Sequence, residues 1–590
     1  MLKPDKNRLN YSDMLKPPVG YEVEFAIGTT YSLDLEALIG VPLALSLAEE
    51  MGHAFHDNPI FMLEGLRRAS DKFLIFCEAG QIKVPQNNNT IFALVENSVC
   101  EIALENNLSF HPKLWLIKYV NEENRELYRL LVLTRNLTFD RSWDLALALE
   151  GEKQEEVNTK TKPLKDFFQF LLPYVPDATK VESMKKLISA LDYVHFVPGG
   201  NFVDYDFLPL GIEEYSKDKT ELFDTYHDLI IMSPFLSGST INEIKEKKLS
   251  DKKFVLITRR TELHKLPHDI LDYSDIYVLK EMIVDGEGVI SEEDEEEMGQ
   301  AQQQDIHAKL YAKSKYNQHH FYIGSANCSR NAFHGNVEFL LKLKYKKYGF
   351  KMQQLLEDLF GKDEEDNPFE KIDVLPVFEE EKEDDVLEQL QKGIKQLCRS
   401  DLRAYVTKTQ STYSLAIQSK ELQGTIRFFI KPLLSQVQEQ LLDETVLFSD
   451  LNLVELGEFY RVKAVIEDAQ IERIIKIDTE GIPAERDSEI YKSIIRDPAT
   501  FLRYVAFLLA DDFLLAALEQ FERSKKGNIV WDSAYLDGPI LYENMLKTVS
   551  RSPDKLNDVE YVMDIIRDEE IIPEDFEKLY QIFKRANQNR

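Results

Sequence analysis

The chain has 590 residues, which is too long for one ordinary domain and predicts about three or four compact units. Its composition, 44% hydrophobic and 29% charged with 24 Gly and 22 Pro, excludes the collagen-like, disordered and disulfide-rich classes. The formal net charge of −32 argues against a protein that simply coats nucleic acid. A phosphate-bearing substrate would therefore need a local basic site.

Short apolar runs alternate with amphipathic segments over the first 350 residues, and this pattern predicts an α/β fold. Runs this short suit the interior of a sheet that helices cover. A helical zone from Thr161 to Leu191 follows the first set, and the chain then breaks at Pro198-Gly199-Gly200. The elements predicted before that zone are a helix over Leu33–Glu50 and strands over Val23–Thr30, Phe73–Glu78, Leu114–Tyr119 and Leu130–Leu133.

The same pattern returns after the break, so we interpret the two stretches as one α/β unit used twice. The strands predicted in the second stretch are Leu229–Pro234, Phe254–Thr258, Ile276–Leu279, Leu310–Ala312 and Phe321–Gly324. This predicts a first half over residues 1–197 and a second half over residues 198–350.

The remaining residues have a different character. An acidic linker and a helix near Val386–Cys398 are predicted over residues 351–400. Alternating segments and then helical patterns from Glu489 onward predict an α+β accessory domain over residues 401–590. No motif in this region indicates its role.

The four cysteines are far apart and form no CxxC pair, which argues against a zinc ribbon or a disulfide framework and favours a reducing compartment. The first 20 residues are polar, so they do not suggest a signal peptide. The apolar stretch Phe501–Phe521 is interrupted by Arg503, Asp511 and Asp512, so no membrane span is expected. We therefore expect a cytoplasmic protein without membrane attachment.

Two His-x-Lys patterns, His111-Pro112-Lys113 and His307-Ala308-Lys309, lie 196 residues apart. Each opens a predicted strand, which a turn joins to a second strand ending in Ser/Thr-x-Asn, with Thr134 and Asn136 in the first copy and Ser325 and Asn327 in the second. One such pattern is commonly an ordinary surface strand. In adjacent antiparallel strands, however, both motifs can reach one face, and the paired arrangement indicates a site.

These residues resemble the phospholipase D superfamily, whose members pair two His-x-Lys…Gly-Ser-x-Asn motifs across one active site. The segment Asn336-Val337-Glu338 also resembles the trailing Asn-x-Glu element of that family, and Trp143-Asp144-Leu145 is a degenerate copy of it. The resemblance covers roughly residues 20 to 345. It implies a duplicated α/β/α sandwich whose two halves share one active site, followed here by a C-terminal α+β region.

The sequence also departs from that family. The usual aspartate, five residues after the lysine, is Lys118 in the first copy and Ser314 in the second. Such a loss resembles the nuclease-like and tyrosyl-DNA phosphodiesterase branch. The first copy has Leu133-Thr134 where Gly-Ser is usual, so the second half-site is the more regular of the two.

The residue types suit displacement at a phosphodiester. One neutral imidazole can attack phosphorus and give a phosphohistidine, while a protonated imidazole donates to the leaving oxygen. Lys113 and Lys309 would neutralise the developing charge, and Asn136 and Asn327 would donate hydrogen bonds to it. Thr134, Ser325 and Asp144 are supporting candidates, and the resemblance implies that Glu338 orients an imidazole. No metal or cofactor is expected, and no zinc or magnesium cluster is evident.

The sequence thus predicts a metal-independent phosphodiesterase. A nuclease is the leading hypothesis, with DNA preferred over RNA as the substrate. Larger members of the resembled family suggest a bacterial restriction or anti-phage subunit beside a helicase or translocase ATPase, which must be a separate chain because no Walker A motif occurs here. A phospholipid phosphodiesterase or transphosphatidylase, and a catalytically decayed nucleic-acid-binding or assembly subunit, remain alternatives. The resemblance favours His111 over His307 as the nucleophile. The sequence leaves homo-oligomer formation open.

An acidic run, residues 291–298, stands just before His307. A solvated loop is the simple interpretation. The sharper hypothesis is that the run covers the basic site as a polyanionic pseudo-substrate.

Overall fold

The computed structural model describes residues 11–46, 59–106, 108–139, 142–280, 305–361, 367–376, 384–420, 425–509, 538–551, 553 and 555–588. The acidic run 291–298 lies outside the described residues, so its covering role stays a prediction.

The first half is built on a mixed sheet. Its strands are β1 (Tyr21–Thr30), β2 (Phe73–Glu78), β3 (Val99–Ile102), β4 (Leu114–Asn121), β5 (Glu126–Leu133), β6 (Ser142–Trp143), β7 (Ala146–Lys153) and β8 (Val194–Val197), and its helices are α1 (Tyr11–Leu15), α2 (Leu35–Ser46), α3 (Pro59–Ala69), α4 (Lys162–Leu171) and α5 (Ala178–Ala190). The strand order among the described residues is β3-β2-β1-β4-β5-β7-β8. Strands β3, β2 and β1 run parallel to one another, and each of the other neighbouring pairs is antiparallel.

The second half repeats this plan. Its strands are β9 (Phe202–Leu210), β10 (Asp228–Met232), β11 (Phe254–Ile257), β12 (Ser274–Leu279), β13 (Asp305–Ile306), β14 (Leu310–Lys315), β15 (Gln318–Gly324), β16 (Glu338–Tyr345) and β17 (Phe369–Ile372), and its helices are α6 (Gly238–Glu246), α7 (Ile270–Tyr273), α8 (Arg330–His334) and α9 (Met352–Phe360). In the described part of the chain the order is β17-β12-β11-β10-β14-β15-β16-β9.

The two sheets match strand by strand. The series β3-β2-β1-β4-β5-β7 corresponds to β12-β11-β10-β14-β15-β16, with the same parallel and antiparallel pairs. The next position is filled by β8 in the first sheet and by β9 in the second. Along the chain, β8 is the last strand of the first half, whereas β9 is the first strand of the second half. The duplicated α/β fold that the sequence predicts is therefore confirmed.

The hydrophobic core follows from the alternation of side chains along the central strands. Phe25 and Ile27 of β1 lie in one core with Ile230 and Met232 of β10, so this core is shared by the two halves. The intervening side chains, such as Ala26, lie on the opposite face of the first sheet with α2. The corresponding outer face of the second sheet packs against α6. Helices thus cover sheets whose inner faces belong to a common interior.

The C-terminal region is α+β, as predicted. Its elements are α10 (Asp384–Arg399), β18 (Arg403–Thr409), β19 (Thr412–Gln418), β20 (Arg427–Pro432), β21 (Gln440–Leu441), β22 (Thr445–Leu451), β23 (Phe459–Ile466), β24 (Ala469–Lys476), β25 (Thr479–Glu480), α11 (Arg486–Ile494), α12 (Pro498–Leu509), α13 (Gly538–Arg551), α14 (Lys555–Ile566) and α15 (Glu574–Gln588). Its described strands form two small sheets, β22-β19-β18-β25 and β21-β20-β23-β24. One core joins α10 to both sheets, and the later helices pack with α3 in another.

Most predicted elements form near their expected bounds, and Phe73–Glu78 forms at the predicted residues. The helix predicted over Leu33–Glu50 begins at Leu35 instead. The helix does not start at Leu33 because the backbone of that residue is hydrogen-bonded to another segment. Its N–H donates to Gln81 O at 3.1 Å, and its carbonyl accepts from Lys83 N at 2.8 Å. Residues 47–50 of that prediction lie outside the described part.

Candidate active site

Two corresponding hairpins bring the motif residues to the same ends of their strands. His111 and Lys113 immediately precede β4, and Thr134 follows its antiparallel partner β5, with Leu114 opposite Val132. His307 and Lys309 precede β14 in the same way, and Ser325 follows β15, with Leu310 opposite Ile323. The antiparallel register therefore carries each His-x-Lys pattern beside its own Ser/Thr-x-Asn.

In the first half, Thr134 binds the segment that follows it. Its amide donates to Leu145 O at 2.9 Å, and its hydroxyl accepts from Leu145 N at 2.8 Å. The same hydroxyl donates to Asp144 Oδ1 at 3.2 Å, and the Ser142 hydroxyl donates to the other carboxylate oxygen. Asp144 is thus held as an acceptor at the end of β5.

The second half makes the same contacts with different residues. The amide of Ser325 donates to Phe339 O at 2.9 Å, and its hydroxyl accepts from Phe339 N at 2.9 Å and donates to Glu338 Oε2. Asp144 is therefore the structural counterpart of Glu338. The element that looks degenerate in the first copy keeps the hydrogen-bond pattern of the second.

The two halves exchange these carboxylates. His111 Nδ1 lies 3.0 Å from Glu338 Oε2, which belongs to the other half, and His307 Nδ1 lies 3.3 Å from Asp144 Oδ1. The backbone follows the same rule, since His111 N donates to Val337 O at 2.9 Å and His307 N donates to Trp143 O at 2.9 Å. Each imidazole is thus oriented by the opposite half, and within the described residues its Nε2 makes no hydrogen bond.

The two lysines are almost fully buried. Lys113 is 1% exposed and Lys309 is 0% exposed. The ammonium of Lys113 donates to His111 O at 2.8 Å, and that of Lys309 donates to His307 O at 2.7 Å. The lysines also lie close enough to repel each other and to attract Asp144 and Glu338. One compact charge cluster therefore contains groups from both halves.

Burial governs the protonation of this cluster. Desolvation, together with the repulsion of Lys309, lowers the pKa of Lys113 well below its usual value, and desolvation lowers that of Lys309 to about 7. Desolvation also lowers the pKa of His111 to about 4, although Glu338 acts in the opposite direction. The pKa of His307 is lowered by burial and by Lys309. Without an anion in the site, both imidazoles are therefore neutral at pH 7.

The carboxylates stay ionised in spite of burial. Burial by itself would raise the pKa of Glu338, but its interactions with His111, Lys113 and Ser325 together outweigh burial and lower the pKa. Asp144 behaves alike, because its interactions with His307, Ser142 and Lys309 together outweigh its burial and lower its pKa. At His111, the ionised Glu338 beside Nδ1 favours the tautomer that leaves Nε2 available as a lone-pair donor. At His307, Asp144 acts in the same way, while Lys309 Nζ also lies 3.3 Å from Nδ1.

Three buried oxygens of the site have no hydrogen-bond partner among the described residues. They are Asn136 Oδ1, Asn327 Oδ1 and Glu338 Oε1. Buried polar atoms are normally satisfied, and exceptions require an explanation. All three atoms are acceptors, so a hydrogen-bond donor such as water would satisfy them.

The structure brings all ten residues singled out by the sequence into this arrangement or next to it. Hydrogen bonds place eight of them in it: His111, Lys113, Thr134, Asp144, His307, Lys309, Ser325 and Glu338. Asn136 and Asn327 lie next to it in the chain, two residues after Thr134 and Ser325. Their catalytic roles stay a prediction.

Sequence reasoning missed Tyr31, which follows β1. Its ring centroid lies 5.0 Å from that of His111, and Lys113 Nζ lies 5.8 Å from the Tyr31 centroid. Burial raises the pKa of its hydroxyl to about 12. The only available signal was its position just past a predicted strand, which does not distinguish it from other tyrosines.

Within the described residues, no three His, Cys, Asp or Glu side chains are grouped as a metal site. The described helices include none that is long and apolar enough to cross a membrane.

Neither a protein-family model nor a curated protein matches the sequence. Solved structures that resemble this one include three enzymes. Yeast tyrosyl-DNA phosphodiesterase is 12% identical, with 58% of this chain and 87% of that chain covered and a TM-score of 0.36. Phosphatidylserine synthase from Haemophilus influenzae is 12% identical, with 66% and 89% covered and a TM-score of 0.35. Polyphosphate kinase from Porphyromonas gingivalis is 13% identical, with 65% and 51% covered and a TM-score of 0.34.

Proposed function

We propose that this protein is a metal-independent phosphodiesterase that acts through a phosphohistidine. The observation that carries the proposal is the exchange of carboxylates, in which Glu338 holds His111 and Asp144 holds His307. Two imidazoles with fixed tautomers, two buried lysines and two amides are the groups that displacement at a phosphodiester needs.

In the first step, Nε2 of one histidine forms a bond to phosphorus as the bond to the leaving oxygen breaks. The other histidine, protonated at Nε2, transfers that proton to the leaving oxygen. In the second step this now neutral imidazole takes a proton from water, whose oxygen attacks phosphorus and breaks the P–N bond. We assign the attack to His111 and the acid role to His307, and trapping and mapping the phosphorylated residue tests that assignment.

The substrate has to bring the required proton into the site. Both imidazoles are neutral at pH 7 in the free protein, whereas the mechanism needs one of them charged. A phosphodiester anion beside His111 and His307 favours the protonated form of one imidazole. Its charge also favours protonation of the two buried lysines. Substrate binding and proton uptake are therefore linked.

We propose nucleic acid, and DNA ahead of RNA, as the substrate class. The sequence resemblance to the nuclease-like branch supports this choice, and the overall charge of −32 explains why delivery would need help. A separate helicase or translocase ATPase that feeds DNA to this subunit, as in restriction or anti-phage systems, would supply that help. A cytoplasmic location belongs to the same proposal.

The test is cleavage of labelled single- and double-stranded DNA and RNA in EDTA. We expect wild type to cut at least one of these substrates and His111→Ala and His307→Ala each to lose at least about 10³-fold in rate. His268→Ala, at an exposed histidine, is the matched control and should behave as wild type.

Other outcomes would contradict the proposal. Cleavage that requires Mg²⁺ and survives both substitutions would reject the mechanism. Turnover of phospholipid diesters without cleavage of nucleic acid would leave the chemistry in place and change the substrate class. DNA binding without any cleavage would favour a decayed binding subunit.

A further inference from the structure

A strip of neighbouring backbone segments connects the active site to the C-terminal region. Leu137, next to Asn136, pairs with Leu33, which pairs with Ile82, and Ile82 pairs in turn with Ile474 of β24. The Asp34 amide donates to Leu137 O at 3.0 Å, and the Ile474 amide donates to Ile82 O at 2.9 Å. The C-terminal region is therefore joined by backbone pairing to the segment that follows the active-site asparagine.

Buried polar contacts fix this placement. The carboxylate of Glu101 accepts from Gly80 N at 2.8 Å and from Lys476 N of β24 at 2.7 Å. The Lys476 ammonium donates to Glu96 O at 2.7 Å and to Val99 O at 3.1 Å. Because these bonds link the first half directly to β24, the side chains of β24 have defined positions relative to the site.

Arg473, the residue before Ile474, is a half-buried cation. Its guanidinium donates to Glu472 O at 2.8 Å, and within the described residues no carboxylate lies at ion-pair distance. Arginine carries five N–H donors, so most of its donor capacity is unused. Burial lowers its pKa, which means that its charge is poorly compensated. An anion would compensate it.

Tyr31 connects Arg473 to the reacting groups. The positive charge of Arg473 acts to lower the pKa of the Tyr31 hydroxyl, against the effect of burial. The centroid of the Tyr31 ring lies 5.0 Å from the centroid of the His111 ring. Arg473 thus lies within electrostatic range of Tyr31, which contacts His111, and outside the set of groups that hold the imidazoles.

We propose that Arg473 binds a second phosphate of the substrate, next to the one that reacts, and that the enzyme therefore selects chains of phosphodiesters over single diesters. This inference rests on the proposed function and adds a role for the C-terminal region. A guanidinium presents paired N–H donors that match phosphate oxygens.

The test compares Arg473→Gln with wild type on two substrates. One is a single-stranded DNA oligonucleotide, and the other is bis(4-nitrophenyl) phosphate, which has one phosphate. We expect KM for the oligonucleotide to rise about 10- to 100-fold, the loss of one charge-assisted contact, with a smaller change in kcat. The loss on the single diester should be at least about tenfold smaller. The slope of log affinity against log salt should fall by about 1.

Arg427→Gln is the matched control, because it removes the same charge from an exposed side chain of β20 in the same sheet. It should leave both KM values unchanged. Equal losses on the two substrates in Arg473→Gln would overturn the inference, since they would indicate that Arg473 acts on His111 through Tyr31. No loss on either substrate would overturn it as well.

Oligonucleotide binding by the His111→Ala variant, with and without Arg473→Gln, separates this inference from the proposed function. Weaker binding in the double variant supports a phosphate contact even if wild type shows no cleavage. Unchanged binding rejects the contact even if wild type is an active nuclease.

Discussion

At the scale of residues, the site combines buried cations with imidazoles that desolvation has made weakly basic. Lys113 and Lys309 are both buried in this site, and burial lowers the pKa values of both. Such an arrangement costs folding free energy until an anion arrives. The site is therefore prepared for a negatively charged substrate and is poorly satisfied without one.

The acid role makes the reaction depend on pH. The productive enzyme carries its proton on His307, the assigned acid, whose pKa is lowered by burial and by Lys309 to about 3 in the free protein. Above that value the protonated fraction falls tenfold per pH unit. We expect kcat/KM for an oligonucleotide to decrease between pH 5 and pH 8 with a logarithmic slope near −1, measured under initial-rate conditions. Lys309, whose pKa is about 7, loses its charge above neutrality. This loss should make kcat/KM decrease more steeply above pH 7.

A diester with a 4-nitrophenolate leaving group provides the control for this profile. That leaving group needs little protonation, so its kcat/KM should vary less with pH. A rate on the oligonucleotide that increases up to pH 8 would argue against an imidazole acid.

The exchanged carboxylates predict that the two half-sites are equally necessary. Asp144→Asn and Glu338→Gln keep the side-chain shape but remove the charge that fixes the imidazole tautomer. We expect each to lower kcat by about 10²- to 10⁴-fold. Glu122→Gln, at an exposed glutamate, should have no effect. If Asp144→Asn kept wild-type turnover while Glu338→Gln did not, the first half-site would be dispensable.

At the scale of elements, corresponding strand pairs accommodate different side chains. Gly324 at the end of β15 lies opposite Leu340, whereas Leu133 at the end of β5 lies opposite Ala146. The second copy thus places its large residue on β16, and the first copy places it on β5.

The glycine of the second copy should not tolerate a side chain. A Cβ on Gly324 would lie 2.1 Å from Phe339 O and 3.0 Å from Leu340 Cα. Both are backbone atoms of β16, so relief would require the two strands to separate. We expect Gly324→Ala to lower the free energy of unfolding by about 2–4 kcal/mol, measured by urea denaturation.

The same change should lower turnover, because Ser325 and its bond to Glu338 would move. Gly199→Ala is the control, since a Cβ at Gly199 would meet nothing within 4 Å. Equal stability of the two variants would show that the β15–β16 pair can separate to accommodate a side chain at Gly324.

At the scale of the whole molecule, the C-terminal region is bound to the first half through buried ion pairs. Glu96 accepts from Arg486 Nη1 at 2.7 Å and from Glu458 N at 2.8 Å. Burial raises the pKa of Glu96 to about 7, against the effect of Arg486. The contact joins parts of the chain that are almost 400 residues apart, so it depends on the complete fold.

Glu96→Ala should leave Arg486 buried with reduced compensation. We expect a loss of about 3 kcal/mol in the free energy of unfolding, and faster proteolytic release of the C-terminal region. Glu182→Ala breaks an exposed pair with Lys185 and should leave the free energy of unfolding unchanged. If the two substitutions had the same effect, the interface would not depend on this ion pair.

The sequence by itself determined the repeating elements and the chemistry of the motifs. Short continuous apolar runs specify strands that are buried on both faces, and this local rule located Phe73–Glu78 and the strands of the paired hairpins. The spacing of His111 with Asn136 and of His307 with Asn327 likewise follows from one hairpin each. Such features are short-range, so one chain is enough to predict them.

Only the tertiary structure decided which half serves which histidine. The pairing of His111 with Glu338 spans 227 residues, and that of His307 with Asp144 spans 163. No local pattern encodes contacts of that length, because they arise when two sheets close on a shared core. The same closure buries Lys113 and Lys309 and lowers the pKa values of the lysines and histidines in the site. Burial and long-range contact, which a single sequence does not display, therefore set the electrostatics of the candidate site.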